Sequence, residues 1–181
     1  MQYIQEYIKK IGEVSCRTYS QEKCSQQKVV ECFLMVKKNN RNLYFIGNGG
    51  SAGIAIHMTA DYLKNGGIKT HSMHEPATLT CLGNDFGYEY VFSKQLDIIA
   101  AKDDVLVAIS SSGNSTNIIN AVNVARAKGC IVITFSGFEK NNKLSQMGDY
   151  NIYVPSMRYG IVESIHNMIL QQVVDEIVEK S

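Results

Sequence analysis

Four serines and a glycine follow an apolar run, and their side chains are suited to binding a phosphate. The run 105–109 is followed directly by Ser-Ser-Ser-Gly-Asn-Ser at 110–115, and a helical pattern begins after these residues. The free backbone N–H groups and the positive end of the dipole at a helix N-terminus attract anions. One hydroxyl would be enough to cap the helix. The segment therefore predicts an anion site without Lys or Arg, formed by Ser110, Ser111, Ser112 and Ser115.

A second polar loop, Gly-Asn-Gly-Gly-Ser at 47–51, follows the short apolar run 43–46. Its glycines would allow a ligand to approach the backbone closely. The spacing is not the G-x-G-x-x-G of a dinucleotide-binding loop. If both runs are strands of one parallel sheet, both loops lie at its carboxyl edge, where ligands of open α/β sheets bind.

The hydrophobic pattern predicts alternating helices and strands that would position these loops. Helices are predicted over residues 1–38, 51–63, 86–101, 117–128 and 160–179, and strands over 43–46, 68–73, 105–109, 130–135 and 150–154. Such alternation is typical of a parallel sheet covered on both faces. We expect one domain over 1–181, with N-terminal helices over 1–40 and an αβα core over 41–181.

Composition argues against several classes of protein. The 181 residues include 18 Lys and Arg and 17 Asp and Glu, so a net charge of +1 indicates no nucleic-acid-binding face. Polar residues interrupt the N-terminus, which excludes a signal peptide, and no apolar run is long enough to span a membrane. The five cysteines form no C-x-x-C pair and are expected to be reduced thiols, as in a cytoplasmic protein.

Three motifs in this order resemble the sugar isomerase (SIS) domain, and within it the phosphoheptose isomerases. They are Gly-Asn-Gly-Gly-Ser-Ala at 47–52, Gly-Asn-Asp-Phe-Gly at 83–87 and Ile-Ser-Ser-Ser-Gly-Asn-Ser at 109–115. The resemblance implies an αβα sandwich with a five-stranded parallel sheet, and a homotetramer whose active sites form between subunits. It also implies a cytoplasmic aldose–ketose isomerase that converts sedoheptulose 7-phosphate to D-glycero-D-manno-heptose 7-phosphate for surface polysaccharide.

The resemblance also implies roles for individual residues. The four serines match the phosphate loop of the family, and Asn48, Gly49, Ser51 and Asp85 match its sugar-binding positions. His57 matches a histidine that binds zinc in some members. Asp61 stands where the family has a carboxylate, usually Glu, that serves as metal ligand and catalytic base. Because residues i and i+4 share a helix face, His57 and Asp61 would meet one ion or substrate.

The C-terminal helix departs from the family pattern. Glu163 stands where a glutamine is usual, and Gln171 replaces a histidine proposed as acid/base, whereas His166 is kept. Isomerisation through an enediol needs a group that gains and loses a proton, which glutamine cannot do near neutral pH. Proton transfer would then fall to Asp61, Glu163 or a histidine, His57 or His166.

Two interpretations of this helix stay open. In one, zinc is held by the set His57, Asp61, Glu163 and Gln171, whereas in the other Glu163 and Gln171 lie on a solvated helix face and bind nothing. The leading functional hypothesis is a phosphoheptose isomerase acting on a phosphorylated sugar. One alternative is a noncatalytic module that binds a sugar phosphate or a protein, as in SIS proteins that bind the replication initiator DnaA. Another is an isomerase for a different sugar phosphate.

Overall fold

The computed structural model describes residues 2–180, which form seven helices, six strands and two short 3₁₀ helices. The helices are α1 (Gln2–Gly12), α2 (Gln27–Lys38), α3 (Gly50–Lys64), α4 (Pro76–Phe86), α5 (Ser93–Ile99), α6 (Thr116–Ala127) and α7 (Tyr159–Glu179). The strands are β1 (Ser15–Thr18), β2 (Asn42–Gly47), β3 (Lys69–Ser72), β4 (Val105–Ser110), β5 (Ile131–Ser136) and β6 (Tyr150–Tyr153). The 3₁₀ helices are Tyr88–Tyr90 and Leu144–Gln146.

All six strands form one sheet in the order β1-β6-β5-β4-β2-β3. The five strands β2 to β6 are parallel, which confirms the predicted five-stranded parallel sheet, and β1 adds an antiparallel strand at one edge. Strands β2 and β4 are neighbours, and the chain continues from them toward opposite edges of the sheet. Their carboxyl ends therefore flank a topological switch point, the usual place for a ligand in such sheets.

Apolar side chains on both faces of the sheet are buried, as expected for parallel strands between helices. In β2, Phe45 packs toward α2, α3 and α7, whereas its neighbour Tyr44 packs toward α5 and α6. Val107 and Leu106 of β4 divide between the two faces in the same way. This αβα sandwich is the predicted fold class, and it holds the loops after β2 and β4 on a rigid layer.

Two parts of the predicted pattern are wrong. Within 1–38 the predicted N-terminal helices are present as α1 and α2, but the helical pattern does not extend through the residues between them, where β1 pairs with the distant strand β6 through a register that a local pattern cannot reveal. The helix predicted over 86–101 is two elements, the 3₁₀ helix Tyr88–Tyr90 and α5, and α4 precedes them. Helix α4 contains no fully buried residue, and its apolar side chains Leu79 and Leu82 are only partly buried against the core.

The start of α4 carries a local sequence signal for a helix. The Glu75 carboxylate accepts hydrogen bonds from the N–H groups of Ala77 and Thr78 at 3.1 and 2.6 Å, and Pro76 occupies the first helical position. A capping carboxylate followed by Pro is a common start of a helix. Similar short sequences also occur outside helices, so this signal alone does not predict one. Over residues 2–180, none of the helices has the length and apolar character needed to cross a bilayer. The five cysteines are free thiols.

Candidate active site

The loops after β2 and β4 enclose a cavity of about 250 Å³ together with the start of α7. It contains most of the predicted substrate-binding residues and one of the predicted catalytic carboxylates. Its lining residues are Asn48, Gly49, Gly50, Ser51, Ser110, Ser111, Ser112, Ser115, Tyr159 and Glu163. The two polar loops that the sequence places at separate strand ends therefore face one another across a single cavity.

The serine loop is held in its shape by its own backbone and by a neighbouring segment. Gly113 has φ of +65°, and its N–H donates to both the carbonyl and the hydroxyl of Ser110 at 3.0 and 3.2 Å. A Cβ atom at this position would collide with the side chain of Asn142. The Ser115 side chain caps no backbone N–H of α6 and lies 3.3 Å from the Ser110 hydroxyl. The loop is thus preformed: the Ser110 and Ser115 hydroxyls contact each other, and the Ser112 hydroxyl accepts from the Asn114 N–H at 3.3 Å.

Ser111 shows most directly that the cavity is built for a ligand. Its side chain lines the cavity and is only 4% exposed, yet its hydroxyl has no hydrogen-bond partner. Leaving a buried polar group unsatisfied costs about 1–3 kcal/mol, so native proteins rarely do so without a reason. A phosphate oxygen in the cavity would accept the missing hydrogen bond.

Glu163 forms the wall of the cavity on the α7 side. Its carboxylate packs so closely against Gly50 that a Cβ atom there would collide with both carboxylate oxygens. Gly50 is the first residue of α3, so the carboxylate lies beside the positive end of that helix. A larger residue at position 50 would therefore displace the Glu163 carboxylate from its present place. One interpretation of the sequence placed Glu163 on a solvated helix face. In the structure its side chain is partly buried and lines the cavity.

The other two predicted catalytic residues, His57 and Asp61, form a separate group with the predicted metal ligand Gln171, which we call the α3–α7 cluster. The Nε2 atom of His57 lies 3.2 Å from Asp61 Oδ2, and the Gln171 amide donates to the same oxygen at 2.7 Å. The side chain of His57 is 57% exposed and that of Asp61 is 23% exposed. Next to them, the Tyr62 hydroxyl donates to the Leu170 carbonyl at 2.9 Å and joins the two helices.

The cavity and the α3–α7 cluster lie at different levels of the same helix pair. Gly50 contacts Glu163 at one level, and Asp61 contacts Gln171 further along both helices. Eleven residues separate Gly50 from Asp61 on α3, which corresponds to about 16 Å of helix. The structure therefore does not gather the predicted zinc ligands, because Glu163 is apart from the other three. Within residues 2–180, no group of three or more His, Cys, Asp or Glu side chains is close enough to hold a metal.

Two further candidates also lie outside the cavity lining. Asp85, on the exposed side of α4, accepts a hydrogen bond from Asn84 at 2.8 Å, and its role stays a prediction. His166 is completely buried against Phe135 and donates from Nε2 to the Ser136 carbonyl at 3.1 Å. Burial lowers the pKa of His166 to about 4, so its imidazole is neutral near pH 7. His166 thus supports the core behind the cavity and is not placed to transfer a proton to a ligand.

Sequence reasoning missed several residues that shape the cavity. Tyr159 lines it and packs edge-to-face on Phe138, with ring centroids 4.8 Å apart. His74 donates from Nε2 to the Gly47 carbonyl at 2.9 Å and so holds the first loop. Asn117 forms two hydrogen bonds with Asn48. Asn117 follows the serine motif and Tyr159 precedes the predicted C-terminal helix. Their residue types and spacing do not reveal these roles, which depend on contacts between loops distant in sequence.

Comparison with known proteins gives a consistent result. The SIS domain family matches residues 6–137. The phosphoheptose isomerase of Glaesserella parasuis is 39% identical over 139 residues, which are 74% of this chain and 72% of that protein. Among solved structures, a phosphoheptose isomerase from Neisseria gonorrhoeae has a TM-score of 0.79 at 33% identity, with 84% of each chain covered. One from Francisella tularensis has a TM-score of 0.85 at 26% identity and covers 99% of this chain and 96% of its own.

Proposed function

The chain belongs to the SIS-domain family and, within it, to the phosphoheptose isomerases, and from this premise we propose that it converts sedoheptulose 7-phosphate to D-glycero-D-manno-heptose 7-phosphate. It is a sugar-phosphate isomerase of heptose biosynthesis; the identity of the substrate and product is the part we propose. The observation that carries the proposal is the serine cavity, in which a buried hydroxyl without a partner lies beside a carboxylate.

The phosphate would bind in the serine loop. Ser110, Ser111, Ser112 and Ser115 would donate hydroxyl hydrogen bonds to its oxygens, and the N-terminus of α6 would contribute its dipole. Asn48, Gly49 and Ser51 line the opposite side and would orient the sugar. These donors are neutral, so the phosphate would be held without an ion pair.

Proton transfer between C1 and C2 would be carried out by carboxylates. These carbons lie at the opposite end of the sugar from the phosphate, so the acid/base groups must lie away from the serine loop. Glu163 borders the cavity, and Asp61 is oriented by both His57 and Gln171. We assign the proton transfer to Asp61 and Glu163, with His57 holding Asp61 by hydrogen bonding.

Because Asp61 and Glu163 are separated in one chain, the proposal includes a homotetramer in which one copy supplies the α3–α7 cluster to the cavity of another. Helix α4 contains no buried residue, and large apolar side chains are exposed on the two cluster helices: Ile56 at 51%, Leu63 at 56% and Met168 at 39%. Apolar surface on the same helices as the cluster is what a contact between copies would cover.

Mixing two inactive variants tests the shared site. Ser110→Ala would damage the cavity, and Asp61→Asn would damage the cluster. If each active site combines both from different chains, mixed oligomers contain some sites with neither change, and activity returns after the variants are unfolded and refolded together. If mixing restores nothing while copurification of differently tagged variants shows mixed oligomers, each site is built from one chain.

Zinc enters the proposal only through the α3–α7 cluster. His57 offers an imidazole nitrogen and Asp61 a carboxylate oxygen, and Gln171 would have to present its amide oxygen in place of the nitrogen that now donates to Asp61. A bound zinc would polarise the sugar carbonyl. Glu163 of the same chain does not reach this group, so the four-residue ligand set is not assembled within one chain. Metal analysis of the purified protein, with His57→Asn as the control, tests whether the cluster binds zinc.

The proposed reaction is tested by incubating the purified enzyme with sedoheptulose 7-phosphate and following formation of the aldose. Turnover that is lost in Asp61→Asn and Glu163→Gln supports the proposal. Turnover of another ketose phosphate, with sedoheptulose 7-phosphate unreactive, would show a different substrate. The relatives favour an enzyme over the noncatalytic module considered from the sequence. The free thiols are consistent with the cytoplasmic location that we also propose.

A further inference from the structure

We propose that Asn117 and Tyr88 are positioning residues that fix the side chain of Asn48 as a hydrogen-bond donor to the substrate oxygen that becomes negatively charged during isomerisation. The inference rests on the proposed function, because it assigns a direction to one hydrogen bond of the same cavity. Neither positioning residue lines the cavity itself, whereas Asn48 does.

The side-chain amides of Asn48 and Asn117 form a reciprocal pair that joins the two loops. Asn48 Nδ2 donates to Asn117 Oδ1 at 2.9 Å, and Asn117 Nδ2 donates to Asn48 Oδ1 at 2.9 Å. Asn117 is 3% exposed and lies in the first turn of α6, directly after the serine loop. The pair therefore ties the sugar-binding side of the cavity to the phosphate-binding side.

A backbone group determines which way this pair is oriented. The N–H of Ile118 donates to Asn117 Oδ1 at 3.0 Å, and a backbone N–H cannot act as an acceptor. The Asn117 oxygen shares this N–H with the Ser115 carbonyl at 3.1 Å, and a flipped Asn117 amide would set its NH2 group against the Ile118 N–H, two donors facing each other. The same oxygen faces Asn48. Only the nitrogen of the Asn48 amide can donate to that oxygen. The N-terminus of α6 thus sets the orientation of a side chain on the other loop.

The oxygen of Asn48 is then fully used. It accepts from Asn117 Nδ2 and from the Tyr88 hydroxyl, each at 2.9 Å, which occupies both of its lone pairs. Its nitrogen carries two hydrogens, of which one is bound to Asn117. One N–H remains, so any further hydrogen bond that the Asn48 side chain makes, including one to a ligand in the cavity that it lines, is one that it donates.

Aldose–ketose isomerisation requires a hydrogen-bond donor, not an acceptor, beside the substrate carbonyl oxygen. When a proton leaves the carbon beside the carbonyl, negative charge develops on the carbonyl oxygen, and a preoriented N–H stabilises that charge more than the neutral carbonyl. An Asn48 amide free to rotate would present its oxygen part of the time and repel the developing charge. Asn117, being buried, has the larger share in this restraint, and the exposed Tyr88 the smaller one.

The test compares two ligands on the same variants. One is inorganic phosphate, which reports on the serine loop, and the other is a phosphosugar hydroxamate, which imitates the enediolate. We expect Asn117→Ala to lower kcat and the affinity for the hydroxamate by about 10-fold, less than the roughly 10²-fold effect of removing such a donor outright, because Asn48 is released but still present. Phosphate affinity and KM should change little. Tyr88→Phe changes an exposed side chain, so the variant should fold normally. It should lower kcat and the hydroxamate affinity by about 3-fold each.

Asn120→Ala is the matched control. Asn120 lies on the next turn of α6 and donates to the Glu89 carbonyl at 2.9 Å, so it joins α6 to the 3₁₀ helix Tyr88–Tyr90 without touching Asn48. It should leave kcat and the hydroxamate affinity unchanged. The proposal is overturned if Asn117→Ala and Tyr88→Phe alter neither quantity, or if they weaken phosphate binding as much as hydroxamate binding. If the wild-type enzyme does not turn over the heptose phosphate, the proposed reaction fails, and the ratio of the two affinities still decides the role of Asn117.

Discussion

The serine cavity and the α3–α7 cluster are the two chemically equipped regions of this chain, and they are built differently. The serine loop is held by backbone hydrogen bonds, a strained glycine and a buried neighbour, Asn142. The cluster is a small set of side chains on the outer side of two helices, with His57 more than half exposed. The serine cavity is complete within one chain. The α3–α7 cluster lies away from that cavity, with Asp61 about 16 Å along α3 from Gly50.

The difference teaches that binding and proton transfer impose different demands on the fold. A phosphate is recognised by a few adjacent donors, so one strand–loop–helix segment is enough to create the site. Proton transfer needs groups from distant parts of the chain at a defined distance from the substrate. Such groups are contributed by separate helices, and here a second copy of the chain is proposed to complete the arrangement.

The largest effects should come from the carboxylates. Asp61→Asn and Glu163→Gln keep the shape of each side chain but remove its ability to accept a proton. We expect kcat to fall by about 10²–10⁴-fold in each, the range for the loss of a general acid/base, with phosphate affinity preserved. Steady-state kinetics combined with calorimetric phosphate titration measures both quantities.

Asp175→Asn serves as the control, because Asp175 is an exposed carboxylate on the same helix as Glu163. It should leave kcat unchanged. Loss of phosphate binding in either carboxylate variant would contradict the division into a binding region and a proton-transfer region.

The next effect concerns the rigidity of the serine loop. Gly113→Ala places a methyl group where φ is +65° and where it collides with Asn142, so the free energy of unfolding should fall by about 3 kcal/mol. Gly53→Ala is the counterpart on α3, where a Cβ atom meets nothing within 4 Å. It should raise the free energy of unfolding by about 0.5–1 kcal/mol because alanine favours the helix. Urea denaturation would distinguish them, and equal effects would show that the two regions do not differ in rigidity.

The sequence predicted these two regions to different degrees, for physical reasons. The serine loop is a run of consecutive residues between an apolar strand and a helix, so its position at the carboxyl end of β4 follows from local pattern. The neighbours His57 and Asp61 follow from the i,i+4 spacing of one helix. The distance of Glu163 from Asp61 depends on how α3 packs on α7, which no local pattern encodes. The same holds for β1, whose partner β6 lies more than 130 residues away in the chain.

A pH dependence should arise from the core behind the cavity. Burial lowers the pKa of His166 from 6.5 to about 4, so between these values the unfolded chain binds a proton that the folded chain does not. The stability present above pH 6.5 is therefore lost as the pH falls toward 4, by on the order of 3 kcal/mol. Urea midpoints measured from pH 7.5 to 4.5 follow this loss. His166→Asn should flatten that part of the profile, and an unchanged slope would mean that other groups cause it.

The smallest expected effect is that of a substitution at Ser111. It distinguishes the two regions most clearly, because the free energy of unfolding and the phosphate affinity should change independently. Ser111→Ala removes a buried hydroxyl that has no partner in the protein, so the free energy of unfolding should stay the same or rise slightly. The same change removes a donor to the phosphate and should weaken phosphate binding about 10-fold, or roughly 1.4 kcal/mol. Thermal denaturation and phosphate titration of the same preparation measure the two effects.

Ser145→Ala is the opposite control. Ser145 is also a buried serine, but its hydroxyl donates to the Asn142 carbonyl at 2.7 Å and lies outside the serine cavity. Its removal should lower stability by about 1 kcal/mol and leave phosphate affinity unchanged. If Ser111→Ala instead behaves like Ser145→Ala, the Ser111 hydroxyl is satisfied inside the protein and the loop is not held ready for a ligand. The crossed pattern would show that the serine loop keeps one hydrogen-bond donor unsatisfied in order to bind phosphate, which the α3–α7 cluster, with its carboxylate already paired, does not do.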